Sequence, residues 1–231
     1  MNKKALSIIG VSCLGAVLFA GSMFGGNTAE AGLNDYGKVS EYSKMLADNY
    51  QSVNDYYIET LSVDGLSDNQ KKEYLNRADV YAVGNNIVIS KEEVQQYTDF
   101  YLQDGESEAD AHQLAVKDAM ERNALYVAAI QNGFAVTDEE IQEWLTKLRT
   151  MLENDTTGVY QAALDGFDSE EAYWAYEYEV YRVDLPIQNY VSSLQQGVNV
   201  ISEHGNYNSD TEAFNEMKHQ LADEQNFKIA N

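Results

Sequence analysis

The segment Gly133-Phe134-Ala135-Val136-Thr137-Asp138-Glu139-Glu140-Ile141 decides how this chain is read. Before it runs a stretch of mostly good helix formers, Ala119-Met120-Glu121-Arg122-Asn123-Ala124-Leu125 and on to Ala128. Gly133 is placed to end that helix in the left-handed conformation that glycine adopts without a Cβ clash. Thr137 and Glu140 then stand at capping-box spacing, where hydroxyl and carboxylate satisfy each other's backbone N–H and open a second helix. The segment therefore reads as helix, stop, short extended link, helix.

The same start signal recurs along the chain. Ser67 with Gln70, Ser90 with Glu93 and Ser209 with Glu212 repeat the capping-box spacing, and Ser107 and Ser169 stand as N-caps before Glu108 and Glu170. These signals predict helices near 35–61, 68–77, 91–103, 108–131, 138–153, 157–165, 170–195 and 210–224. One proline in 231 residues leaves the helical periodicity almost uninterrupted. That proline, Pro186, is expected to kink the 170–195 helix or split it in two. Val80-Tyr81-Ala82-Val83 and Ile87-Val88-Ile89 flank Gly84-Asn85-Asn86, which predicts a small hairpin or tight extended turn. Val63–Leu66 and Gly197–Asn208 read as linkers. The expected fold class is mostly α, with one small extended or hairpin element near 80–89.

The N-terminus has the layout of a targeting segment. Lys3 and Lys4 precede an uncharged stretch from Ala5 to Gly26, followed by Ala29-Glu30-Ala31. A basic start, apolar middle and A-x-A end predict a secretory signal peptide over 1–31, cut after Ala31. The stretch is also long enough for an uncleaved anchor, and Cys13 stands as a lipidation alternative. Either the cut or the anchored form places the body outside the cytoplasmic membrane. A cleaved body, with no membrane insertion after cleavage, would carry 13 basic and 37 acidic residues and no cysteine.

Composition excludes several functions. The formal charge of −23 opposes binding to nucleic acid or anionic lipid, which need clustered Lys and Arg. A single Cys rules out an intramolecular disulfide framework and multi-Cys zinc sites. A hydrophobic content of 44% is enough for a real core. No G-x-S-x-G, Walker loop, H-E-x-x-H or C-x-x-C occurs. His112, His204 and His219 stand in unrelated contexts. Glu153-Asn154-Asp155-Thr156-Thr157-Gly158 begins like a calcium loop, but Leu164 occupies the position that needs a bidentate Glu. The pairs Glu139-Glu140 and Glu170-Glu171 sit where acidic side chains complement a helix dipole. Nothing here calls for a cofactor or a metal.

Three stretches between Val80 and Leu194 resemble the SurA/PrsA-type N-terminal chaperone domain of extracytoplasmic foldases. Val83-Gly84-Asn85-Asn86-Ile87-Val88-Ile89-Ser90-Lys91-Glu92-Glu93 is similar to that family's V-N-G-x-x-I-T-x-E-E opening. Ala119 to Ile141 is similar to its L-I-x-R-x-L-L…A…G-I-x-V-T-D-E-E-I. Tyr160 to Leu164, then Gly166-Phe167-Asp168-Ser169-Glu170-Glu171-Ala172-Tyr173, looks like its F-x-x-x-L-x-x-x-G-x-S-E-E-E-Y step. The resemblance covers about half the chain and implies a helical chaperone domain over 79–196. Residues 32–78 would be an N-terminal helical extension, and 197–231 a linker and C-terminal helix. The match is to this module alone, and the reading expects no parvulin prolyl isomerase domain, which often follows it in this family. The implied function is non-catalytic shielding of unfolded or partly folded exported polypeptides. The rival reading is a cell-envelope adaptor that binds one specific partner.

Aromatic residues are the natural anchors for such clients, offering large apolar area with a polar handle. Tyr173, Trp174, Tyr176, Tyr178 and Tyr181 fall too close together to share one helix face. Trp174, Tyr178 and Tyr181 align at i, i+4, i+7, with Tyr173 and Tyr176 to one side. One set can pack the core while another stays partly exposed, and two readings stand: ordinary core packing throughout, or a shallow amphipathic groove for non-native polypeptide. The candidate peptide-binding residues are Tyr97, Tyr101, Tyr126, Trp144, Tyr173, Trp174 and Tyr178.

Overall fold

The computed structural model describes residues 36–154, 158–201 and 212–230. The expected signal segment and its cleavage site, Cys13, His204, the Asp155–Thr157 part of the calcium-like stretch and the Ser209 cap lie outside them. The chain is mostly α, as its start signals imply: helix accounts for 72% of the described residues. In order come α1 (Tyr36–Thr60), α2 (Asp68–Tyr74), β1 (Val80–Val83), β2 (Val88–Ser90), α3 (Lys91–Gln103) and α4 (Glu108–Gln131). Then follow α5 (Asp138–Glu153), α6 (Val159–Leu164), α7 (Glu170–Ile201), α8 (Glu212–Gln225) and β3 (Lys228–Ile229).

Apart from Ser90, the described caps act as the sequence implies. Ser67 and Thr137 form complete capping boxes with Gln70 and Glu140. Ser107 and Ser169 accept from the Asp110 and Ala172 N–H groups, and Gly133 takes φ +84° after α4. The Ser90 box forms only by half. Ser90 Oγ accepts from Glu93 N–H at 3.0 Å, but the Glu93 carboxylate turns into the core and bonds to Tyr57 and Asn123. Pro186 does not split its helix. α7 continues from Glu170 through Pro186 to Ile201, beyond the expected end at 195 and into the stretch read as linker. Val183 to Ile187 are all buried, and packing of the flanking turns outweighs the one hydrogen bond that proline removes.

The chain divides into two compact units; two of the three boundaries fall inside α1 and α7, and the third lies in the link between α4 and α5. Among the described residues, the first comprises Tyr36–Gln51 and those between Val136 and Leu185. Here α5 buries Ile141, Leu145, Leu148 and Leu152, an i, i+4, i+7, i+11 stripe. From α7 come Tyr173, Tyr176, Val180 and Tyr181, all fully buried. Gly166 lets α1 approach closely: a Cβ there would meet Ser43 Cβ at 2.3 Å and Lys44 N at 2.6 Å.

The second unit comprises Ser52–Ala135 and the described residues from Pro186 on. Its centre is α4, which between Glu121 and Ala129 is buried on every face. The sheet has the order β2-β1-β3, both pairings antiparallel, with an irregularity between Val80 and Ala82. The hairpin was legible in the sequence; β3 was not. Residues read as extension and C-terminal helix are thus built into this unit: Tyr57 lies in its core and β3 pairs with β1. The 85–86 turn is pinned from both sides. Asn86 Nδ2 donates to Ser62 O at 2.8 Å, and Asn85 N–H donates to Gln225 O at 2.7 Å.

Candidate functional site: a groove between two helices

Each unit carries one arrangement of interest. In the second, polar groups are gathered inside the core. Tyr57, Glu93, Arg122 and Asn123 are all buried. The Tyr57 hydroxyl donates to Glu93 Oε1. It accepts from Arg122 Nη1 at 3.0 Å and from Asn123 Nδ2 at 2.9 Å. The guanidinium also lies over the Tyr57 ring, 5.0 Å from its centre. Burial pushes the Glu93 carboxyl up to about 7. Nearby on α4, Glu121 receives Lys218 Nζ at 2.7 Å and His219 Nδ1 at 2.8 Å from α8. These bonds fix one packing of α1, α3, α4 and α8, and the buried Tyr57–Glu93–Arg122–Asn123 group offers a ligand no access, while His219 stays half exposed at the surface.

The first unit has an open feature. A groove of about 510 Å3 runs between α5 and the first half of α7, lined by Gln142, Leu145, Thr146, Arg149, Trp174, Ala175, Tyr178 and Glu179. On α5 the lining residues follow i, i+3, i+4, i+7, one face of a helix. Leu145 forms its apolar floor, while Trp174 and Tyr178 stand half-buried one turn apart on α7. Burial first, and then the Asp138 carboxylate, push the Tyr178 phenol above its ordinary value.

One end of the groove is polar. The Arg149 guanidinium lies over the Trp174 ring, 5.4 Å from its centre, and pairs with Glu170. Glu170 Oε1 also accepts from the Trp174 indole N–H at 3.2 Å and from the Tyr160 hydroxyl at 3.4 Å. The indole bond above all, with the Arg149 bond, holds the Glu170 carboxyl below its usual range. At the other end Arg182 pairs with Glu179 at 2.6 Å.

The sequence candidates separate on this geometry. Trp174 and Tyr178 share the groove. Tyr173, on the same helix, is fully buried against Phe167 and Tyr160. Trp144 is half-buried edge-on to Tyr181, 5.9 Å between centres, and does not line the groove. Tyr97 and Tyr126 are core side chains of the second unit. Tyr101, also there, donates its hydroxyl to Asp118. Tyr181 sides with the core and not with Trp174 and Tyr178. Sequence reasoning missed Arg149, Gln142, Thr146 and Glu179, and took Glu170 for a dipole-complementing charge. The α5 face spacing was the one signal that could have found the first three.

Among the described residues, no group of His, Cys, Asp and Glu stands in a metal-binding arrangement, and no helix is long and apolar enough to cross a membrane. No family model, curated protein or solved structure matches the chain.

Proposed function

We propose that this chain is an exported, non-catalytic polypeptide-binding protein of chaperone or foldase-like type. It shields apolar segments of non-native clients in the α5–α7 groove. The observation that carries this reading is the pair Trp174 and Tyr178, held half-exposed beside Leu145 in an open groove. An open apolar floor with aromatic walls and polar ends accepts an extended segment without demanding one sequence. The surrounding negative charge keeps a loaded complex soluble. The resemblance of Val80–Leu194 to SurA/PrsA-type domains supports the same reading.

The test is suppression of aggregation with several unrelated unfolded clients, comparing wild type with Trp174→Ala. Suppression across clients, weakened by the substitution, is expected. Tight binding of one envelope partner with no effect on the others would instead select the adaptor reading.

A further inference from the structure

The polar end of the groove already holds a cation. Arg149 sits over the Trp174 ring at 5.4 Å, and Glu170 closes the same corner with Trp174 and Tyr160 bonded to it. A ring face beside a carboxylate is the chemistry that receives a guanidinium or ammonium group. Arg149 itself is held by exposed contacts, to Glu170, Glu153 and the Trp174 ring. Its side chain is 48% exposed, and it is shared with Glu153 at 3.3 Å. Ion pairs so exposed to water contribute little. The protein around this corner carries a charge of −23, which favours a basic partner.

We infer that Trp174, Tyr160 and Glu170 form a cation subsite for a Lys or Arg side chain of the bound polypeptide, and that Arg149 is an internal occupant which the incoming cation displaces. The inference rests on the groove reading above and names its client class: segments in which a basic residue adjoins an apolar one. The apolar neighbour lies on Leu145 and Tyr178 while the cation takes the corner. The exchange keeps a cation over the Trp174 ring and beside Glu170. It also makes Arg149 a competitor, so that its removal strengthens binding. An arginine that merely contacted acidic clients would behave in the opposite way.

The experiment measures binding of a labelled, unstructured peptide of Leu, Phe and Ser with one central Arg, and of its citrulline counterpart, by fluorescence anisotropy. Arg149→Ala should tighten the Arg peptide about two- to fivefold, as an exposed cation–π contact warrants, and leave the citrulline peptide unchanged. Lys147→Ala removes the same charge from an exposed position on α5 outside the groove and should change neither. Trp174→Ala should abolish the preference for Arg. If Arg149→Ala weakens the Arg peptide, or if Lys147→Ala tightens it equally, the subsite is overturned and general charge or direct contact explains the effect. If wild type and Arg149→Ala bind both peptides equally well, the groove stands and the cation subsite falls. If wild type binds neither peptide, the groove reading itself falls, and the subsite with it.

Discussion

Tyr173 and Trp174 are adjacent in sequence and should respond in opposite ways to truncation. Tyr173 is fully buried, with Phe167 edge-on at 5.3 Å and Tyr160 at 5.9 Å. Tyr173→Ala empties a close-packed site and should cost about 3–5 kcal/mol, the usual range for a large core aromatic. At about 2–4 °C per kcal/mol for a chain of this size, the melting temperature should fall by roughly 6–20 °C. Trp174 is half-buried and faces the groove. Its truncation loses ring contact with Arg149 and one indole hydrogen bond to an exposed carboxylate. Those exposed interactions contribute about 1 kcal/mol together. The same change should weaken client binding by about 1–2 kcal/mol, as an aromatic anchor does. Added salt should leave most of that binding in place, because apolar contact is not screened. Urea unfolding gives the stabilities and peptide anisotropy the affinities. The reasoning fails if Trp174→Ala destabilises as much as Tyr173→Ala, or if it unfolds normally and binds client as wild type does.

Further predictions follow from particular contacts. Lys218→Met removes the buried partner of Glu121 at 2.7 Å. It should cost about 3 kcal/mol, the low end for a broken buried pair, because His219 and Lys117 remain within 2.8 and 3.7 Å; a loss under about 0.5 kcal/mol, the scatter of neutral surface changes, would contradict it. Burial raises Glu93 to about 7 and Asp118 to about 6. Their contribution is therefore full below their unfolded values and lost as pH rises through 6 to 7, so stability should increase as pH falls from 8 toward 5. Glu93→Gln should flatten the upper part of that profile; an unchanged slope counts against the assignment. Gly166→Ala should destabilise by about 1–3 kcal/mol through the clash with Ser43, read from the denaturation midpoint. The protein should not accelerate X-Pro isomerisation; a clear rate gain over the uncatalysed process of about tens to hundreds of seconds would refute the non-catalytic reading.

What the sequence determined by itself was local. Caps, glycine stops and periodicity depend on residues within a turn of one another, so the α3, α4 and α5 boundaries could be read directly. The hairpin was legible for the same reason: β-branched runs flank a Gly-Asn-Asn turn. Local signals cannot report a partner that arrives from far along the chain. β3 is two residues long and exists because Ala82 and Val83 of β1 offer it an edge. Glu93 looked like a capping residue because its spacing from Ser90 fits, yet Tyr57, 36 residues away, takes its carboxylate. Pro186 carries a local penalty that burial of the surrounding turns overrides. The aromatic cluster shows the division most clearly. Helical geometry required Tyr173 to Tyr181 to split between faces. Which face became core depended on where α5, α6 and Phe167 lay, and that packing left Trp174 and Tyr178 on the groove and buried Tyr181.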